Sequence, residues 1–403
     1  MAGPLDGIKV VDLSTWAVGP ATCEVLGDWG ADVIKIEHPD GGDPTRNWRG
    51  TAWMPPGSPS NVGWLADNRS KKSITLDLSK DDGKEAAYKL IKKVDIFVSN
   101  LPADSLSKLR MEYETLKLIN DKLIYAHLTG YGTKGPSAIR PGYDYTAFWA
   151  SSGIMSLMGE AGTPPGFCRP AFGDHVTAGY LVAGILAALY ARGKSGVGQR
   201  VDTTLVGTGL WTVDWQAQAT LLTGNDAERA NRKRMPNPMA NSYQAKDGRW
   251  FMLFMLFPER FWPPFCKALD IKHLEHDPRF DTAEKRTENC EELISIIDEV
   301  MASKSSAEWA PIFERYDLVW AHVHTILGAI NNPQTKANEF VVELDHPEIG
   351  KLKMVNSPIR FSETPHEVKI PPPLLGQHTE EVLLELGYDW ASIGKLKKKG
   401  VIM

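Results

Sequence analysis

The segment FGDHVTAG, residues 172–179, sets one acid, Asp174, between a glycine and a long apolar run. Two readings of Asp174 stand side by side. An aspartate at a helix start accepts an orphan backbone N–H and caps the helix. The positive end of a helix also favours an ionised carboxylate, and an ionised carboxylate can act as a nucleophile. Gly173 carries no side chain, which would let a substrate carbonyl come close. His175 is adjacent in sequence and is read as structural, because sequence neighbours often point apart.

A second source of chemistry is positive charge. DNRSKKSITLDLSK, residues 67–80, gathers Arg69, Lys71, Lys72 and Lys80 around an expected strand, and DPTRNWRG adds Arg46 and Arg49. Each group reads either as a solvated turn or as an anion site for a phosphorylated ligand. Other chemistries lack their motifs. Glu37 ends the second expected strand as an acid would in a dinucleotide-binding half. That fingerprint needs GxGxxG in the first turn, whereas the turn here, STWAVGP, holds one glycine; GVGQRV and GTGLWT also fail the spacing. Neither a nicotinamide nor a flavin is therefore expected. GxxxxGK[ST] and HExxH are absent, and Cys23, Cys168, Cys266 and Cys290 are too far apart for a zinc site or a disulfide framework. No metal is expected.

The elements that must hold these residues follow from pattern. A chain of 403 residues with 42% apolar and 24% charged residues suits a soluble protein of two or three domains. A net charge of -5 argues against broad nucleic-acid binding, which shows a basic footprint. The cysteine usage points to a reducing cytoplasm, and no leader peptide is read at the start. The apolar run from Val176 to Ala191 falls short of the roughly 20 residues of a membrane span. It is expected as a helix buried in a protein core, with no membrane partner.

IKVVDL, a helix from about Pro20 to Trp29 closed by Gly30, and DVIKIE make strand, helix, strand within residues 8–37. KSITLDL, DIFVSN and KLIYAHLTG continue as strands, with DDGKEAAYKLIKKV and ADSLSKLRMEYETLKLIN as helices between them. The expected fold is α/β: a large doubly wound domain and a smaller second one. Residues 225–237, polar and proline-containing, are expected as a linker. Residues 238–325 form the small domain, DGRWFMLFML its strand, and residues 326–403 return to the large one. The terminal KLKKK reads as a solvated face.

These pieces together resemble the class III CoA-transferases, a family that includes formyl-CoA transferase and carnitine CoA-transferase. PLDGIKVVDLSTWAVGPA, GADVIKIEHPDGGDPTR, NRSKKSITLDL, PGYDYTAF, FGDHVTAG, GVGQRVDTTL and PLLGQHTEEVLLELGY follow the family's order from residue 4 to 388. The resemblance implies a Rossmann-like large domain built from both chain ends, a smaller inserted α+β domain, and an interlocked homodimer. It makes Asp174 the nucleophile of a transfer of CoA from an acyl-CoA to a free carboxylic acid. That transfer runs through an aspartyl anhydride and an aspartyl-CoA thioester, with coenzyme A as co-substrate. It assigns Trp16, Ala17, Val18, His38, Leu76, Asn100, Leu101, Lys108 and Tyr143 to CoA binding, and Asp144 to support of the active site.

Departures matter. Ala17 stands where formyl-CoA transferase has a glutamine, and the glycine-rich loop of that enzyme is missing. Trp250, Phe251, Met252, Phe254 and Met255 are expected as core or as the lining of an acyl pocket. MPNPMANSYQAKDGRW resembles the branch acting on 2-hydroxy or aromatic acids. Two rivals remain open. An α-methylacyl-CoA racemase would need a base where Tyr143 stands, and tyrosine is a poor base near neutral pH. A non-catalytic CoA-binding protein would need the fold without Asp174.

Overall fold

The computed structural model describes residues 3–48 and 54–403; Arg49 lies outside them. The chain divides into two compact units. The larger holds the chain up to Met155, Phe167–Gly224 and Lys336–Met403; the smaller holds Ser156–Gly166 and Asn225–Thr335.

In the larger unit, β1 (Lys9–Asp12), β2 (Asp32–Glu37), β3 (Lys72–Thr75), β4 (Ile96–Ser99), β5 (Ile124–Thr129) and β6 (Arg200–Thr204) form one sheet in the order β3-β2-β1-β4-β5-β6. All neighbouring pairs are parallel. This is the doubly wound order, with its reversal between β1 and β4. The strands form where the sequence is β-branched and apolar. Because strand side chains alternate faces, Val10, Ile96 and Ile124 pack on one side of the sheet and Val11, Phe97 and Tyr125 on the other.

The first face is covered by helix α1 (Val18–Asp28) and helix α2 (Phe172–Ser195). Pro20 sits in the first turn of α1, where no intrahelical partner is lost, and Gly30 follows its end at φ 102°. Leu181 and Ile185 of α2 are fully buried, each worth about 1.5–3 kcal/mol of transfer free energy. The second face is covered by helices Asp81–Ile91 and Tyr113–Ile119 and by the C-terminal helices Thr379–Glu385 and Trp390–Lys398. The expected helix over ADSLSKLRMEYETLKLIN is two helices, because Arg110 takes the left-handed conformation at φ 56°. All six strands lie within residues 9–204. The C-terminal end adds helices and backbone to the β3 edge, with Met403 N–H donating to Thr75 Oγ1, and contributes no strand to this sheet. It also carries a separate hairpin, β10 (Val341–His346) with β11 (Gly350–Val355).

The expectation of a helix buried in a protein core holds for one side of α2 only. Only 39% of its most apolar 18-residue stretch is buried. Tyr180 and Tyr190 are exposed, and the next helices, Leu205–Thr212 and Asp214–Thr223, expose Trp211, Trp215, Leu221 and Leu222. The periodicity of α2 is apolar all round, so the sequence could not say which side the sheet would cover.

The smaller unit is an antiparallel sheet, β7 (Ser242–Gln244), β8 (Trp250–Leu253) and β9 (Trp320–His322), packed with helices Pro258–Ala268, Cys290–Met301 and Ser306–Arg315. Residues 225–237 are not a free linker. Arg232 pairs with Asp298 and lies 5.2 Å from the Tyr243 ring centroid, while Arg229 donates to the carbonyls of Ser156 and Thr163. These contacts tie the segment into the smaller unit. Phe251 and Met255 are core, whereas Met252 and Phe254 point outward, as alternation along the β8 segment demands.

Candidate active site at the carboxyl edge of the sheet

The reversal of strand order between β1 and β4 leaves a crevice beyond their carboxyl ends. Asn100, just past β4, fixes its two lips: its Oδ1 accepts from Thr15 N–H at 2.9 Å and its Nδ2 donates to the Thr15 carbonyl at 2.7 Å. Ser99 Oγ adds a bond to the Leu13 carbonyl. The cavity there, about 570 Å³, is lined by Trp16, Ala17, Val18, Asn100, Leu101, Tyr143, Asp144 and Asp174. A second cavity of about 220 Å³ holds His38 and Leu76 and shares Thr15 and Leu101 with the first. Ten of the eleven residues that the resemblance assigns to the site thus gather around two adjoining cavities. Lys108 lines neither; its side chain is exposed and 3.8 Å from Asp104, on the helix whose first residues line the larger cavity. Trp16, at φ 66°, meets Tyr143 and Trp48 edge to face at 6.4 and 6.2 Å.

Asp174 is not the cap of its helix. α2 begins at Phe172, after Ala171 in the left-handed conformation, so Asp174 stands inside the first turn. The capping oxygen comes from Asp144, whose Oδ1 accepts from Gly173 N–H at 3.0 Å. Gly173 also has a different reason from the one expected. A Cβ there would lie 2.3 Å from Asp144 Oδ1 and 2.2 Å from Phe148 Cγ. The missing side chain makes room for the cap.

Two carboxyls therefore share one helix end. Burial pushes Asp144 up to about 6, against the pull of the Gly173, Ala171 and Phe172 N–H groups. Burial, then the charge of Asp144, pushes Asp174 up to about 7, while His175 pulls it down. The His175 ring bonds Asp67 at 2.9 Å and the Ala171 carbonyl at 2.7 Å. Asp67 was passed over in the sequence because the segment around it reads as cationic, and His175 gave no signal beyond adjacency. Arg140 and Arg200, which also line the larger cavity, were missed because no motif marks them.

The cations of the basic segment pair with acids of their own chain, Lys71 and Arg69 in the interior. Lys71 is fully buried and donates to Asp12 Oδ2 (3.0 Å), Asn68 Oδ1 and the carbonyls of Pro20 and Asp67. Lys35 is also fully buried, 3.1 Å from Asp43 Oδ2 and 3.7 Å from Asp12 Oδ2. Burial pushes Asp12 up, but Lys35 and Lys71 outweigh it and hold the carboxyl below its ordinary value. Arg69 pairs with Asp28 and Glu24, Lys72 with Glu381, and Lys80 with Asp77. Arg46 forks onto Glu37 through Nε and Nη2 at 2.7 Å each and stacks 3.4 Å over Trp64. Glu37 also accepts from Ser73 Oγ and Asp43 N–H, so its oxygens are taken by its own chain. Among the described residues, no group of three or more His, Cys, Asp or Glu side chains is placed to hold a metal.

A family model described as CoA-transferase family III matches residues 5–379. The chain is 33% identical over 402 residues to the (R)-2-hydroxy-4-methylpentanoate CoA-transferase of Clostridioides difficile, covering 99% of each. It is 33% identical over 399 residues to the cinnamoyl-CoA:phenyllactate CoA-transferase of Clostridium sporogenes, covering 98% of this chain and 97% of that one. A crystal structure of a CAIB/BAIF family protein from Brucella suis superposes with a TM-score of 0.85 at 31% identity, covering 96% of this chain and all of that one.

Proposed function

The chain belongs to CoA-transferase family III and is a CoA-transferase, and on that premise we propose that Asp174 is its covalent nucleophile. The Asp174 carboxylate attacks the donor thioester carbonyl; the C–S bond breaks and CoA leaves as thiolate. The resulting aspartyl–acyl anhydride is attacked at the aspartyl carbonyl by that thiolate, which releases the donor acid and leaves an aspartyl-CoA thioester. The acceptor carboxylate then attacks this thioester and expels thiolate again. Attack of the thiolate on the acceptor's acyl carbon gives the new acyl-CoA and returns Asp174. Covalent catalysis divides one exchange between poor electrophiles into steps on activated carbonyls.

One observation carries the reading: Asp174 lines the crevice cavity while another residue performs the capping that its position would otherwise require. The CoA contacts assigned to Trp16, Ala17, Val18, Asn100, Leu101 and Tyr143 fit the larger cavity, and those of His38 and Leu76 the smaller. Lys108 would reach the CoA phosphates from the cavity rim. Arg140 and Arg200 add positive charge for the phosphates or the acid carboxylate. The acid is a medium-sized 2-hydroxy or aromatic acid, as the names of the two bacterial relatives suggest. The test is incubation with an acyl-CoA, trapping by hydroxylamine, and peptide mass spectrometry. Hydroxamate at Asp174 is expected; turnover with Asp174 unmodified would refute the mechanism.

The raised pKa gives a pH dependence. An acid held at about 7 is protonated, hence unreactive, below that value, so kcat/KM for the donor should climb between pH 6 and 8 and then level. Asp144→Asn keeps an oxygen for the Gly173 N–H and removes a negative neighbour. The rising limb should move to lower pH by roughly one unit. A limb that stays put in a pH–rate series would show that Asp144 does not govern Asp174.

The exposed apolar side of Trp211 (61%), Trp215 (87%), Leu221 (80%) and Leu222 (78%) supports an interlocked homodimer, since patches of this kind mark interfaces. A homogeneous monomer at micromolar concentration in sedimentation velocity would contradict it. The free state of all four cysteines is compatible with a reducing cytoplasm, which cell fractionation would check.

A further inference from the structure

Resting on Asp174 as the nucleophile, we infer that Asp67 and His175 form a positioning pair: an imidazolium, clamped between the Asp67 carboxylate and the Ala171 carbonyl, that biases the neighbouring Asp174 toward its ionised form. The geometry argues for the charged ring. His175 Nε2 lies 2.9 Å from Asp67 Oδ1 and Nδ1 lies 2.7 Å from the Ala171 oxygen. The carbonyl can only accept, and so can an ionised carboxylate. Both ring nitrogens must then donate, and only the imidazolium carries two N–H groups. The hydrogen bond to Asp67 pushes the ring up to about 9, against burial.

The placement argues for a purpose beyond helix stability. A cation in the first turn of a helix is opposed by the helix dipole. The groups that face Asp174 are Asp144, from the π-helical turn Asp144–Ala150, Asp67, from helix Val62–Asp67, and His175 on its own helix. The two acids raise the Asp174 pKa, and His175 is the group among them that lowers it. Those that face the ring in turn are Asp67, Asp174 and Asp144. The anchor is firm. Asp67 is 4% exposed, and its carbonyl accepts from the buried Lys71 ammonium at 2.9 Å. The ring itself is 54% exposed, so solvent screens part of its effect.

The experiment follows single-turnover acylation of Asp174 by an acyl-CoA across pH 5.5–9.5, read by intact-protein mass. In His175→Gln the rising limb should move up by about one pH unit, a roughly tenfold loss at pH 6 that recovers by pH 9. Asp67→Asn takes away the ring's counter-ion but also one of the two acids that raise Asp174, so its limb should move up by less than that of His175→Gln. His175→Arg, which keeps the charge, should leave the limb at its parental place. A uniform loss at every pH with an unmoved limb would mean a merely structural role and would overturn the inference. The parent protein gives a check that needs no variant: 15N chemical shifts of the His175 ring at pH 7.5 should report imidazolium, and a neutral ring would overturn the inference. Failure of the nucleophile reading is separately visible, since the parent itself would then show no adduct at Asp174.

Discussion

Asp174→Ala is expected to lower the rate of CoA exchange by roughly 10⁴-fold or more, the scale of losing a covalent nucleophile. The measurement is acyl-CoA formation at pH 8, followed by liquid chromatography and mass spectrometry. The loss should be chemical and not conformational. The cap of α2 belongs to Asp144, so the alanine variant should fold and still bind CoA. Stability adds a second readout whose sign can be worked out. The Asp174 carboxyl has an ordinary value of 3.8 and rises to about 7 in the fold. A group raised in this way contributes fully while protonated in both states, below about 4. Its contribution is lost as pH climbs through 7. Asp174→Asn should therefore melt above the parent at pH 8 and no higher than the parent at pH 4. An alanine variant that exchanges thioesters at the parental rate would sink the proposed mechanism.

Lys71→Met should destabilise the larger unit by about 3–5 kcal/mol, the range for breaking a buried ion pair from one side. The Lys71 ammonium is fully enclosed, and four oxygens depend on it: Asp12 Oδ2, Asn68 Oδ1 and the carbonyls of Pro20 and Asp67. Methionine fills the volume of the stem but leaves Asp12 Oδ2 and Asn68 Oδ1 without the donor they share, in a place water does not reach. Each buried unsatisfied acceptor carries its own desolvation penalty. Lys35 remains 3.7 Å from Asp12, so the carboxylate keeps part of its compensation. A fall in melting temperature of roughly 10 °C is expected. Catalysis should suffer as well, because the Asp67 carbonyl and the Asp67 carboxyl belong to one residue. A melting temperature within 2 °C of the parent, a shift of about 1 kcal/mol at most, would show that the network relaxes around the loss.

Much of the larger unit could be read from the chain alone. Its strands are short runs of Val and Ile bounded by turn residues, and such runs have few other ways to be buried. The first βαβ unit was legible because Pro20 and Gly30 punctuate the helix between its strands. What the sequence concealed shares a physical cause: it depends on partners far away in the chain. Asp174 reads as a cap until Asp144, 30 positions earlier, arrives to do that work. Lys71 reads as a surface cation because burial of an ammonium is rare and needs acceptors collected from Asp12, Pro20 and Asp67. The segment 225–237 reads as a linker because its polarity is visible and its ion pair with Asp298 is not. The outward face of α2 was hidden for the opposite reason, since an evenly apolar helix does not declare a side. The resemblance to known transferases supplied the nucleophile's role, which residue types and spacing had left open.

The helix end shared by Asp144 and Asp174 has a consequence for reactivity. A carboxylate that accepts from an amide at the start of a helix has one oxygen and part of its charge committed there, as Asp144 has through Oδ1. Here that duty falls to one acid, so the other can stand beside the same positive helix end with its lone pairs unspent. The division of labour between two aspartates makes a structural position available for chemistry without leaving the helix unfinished.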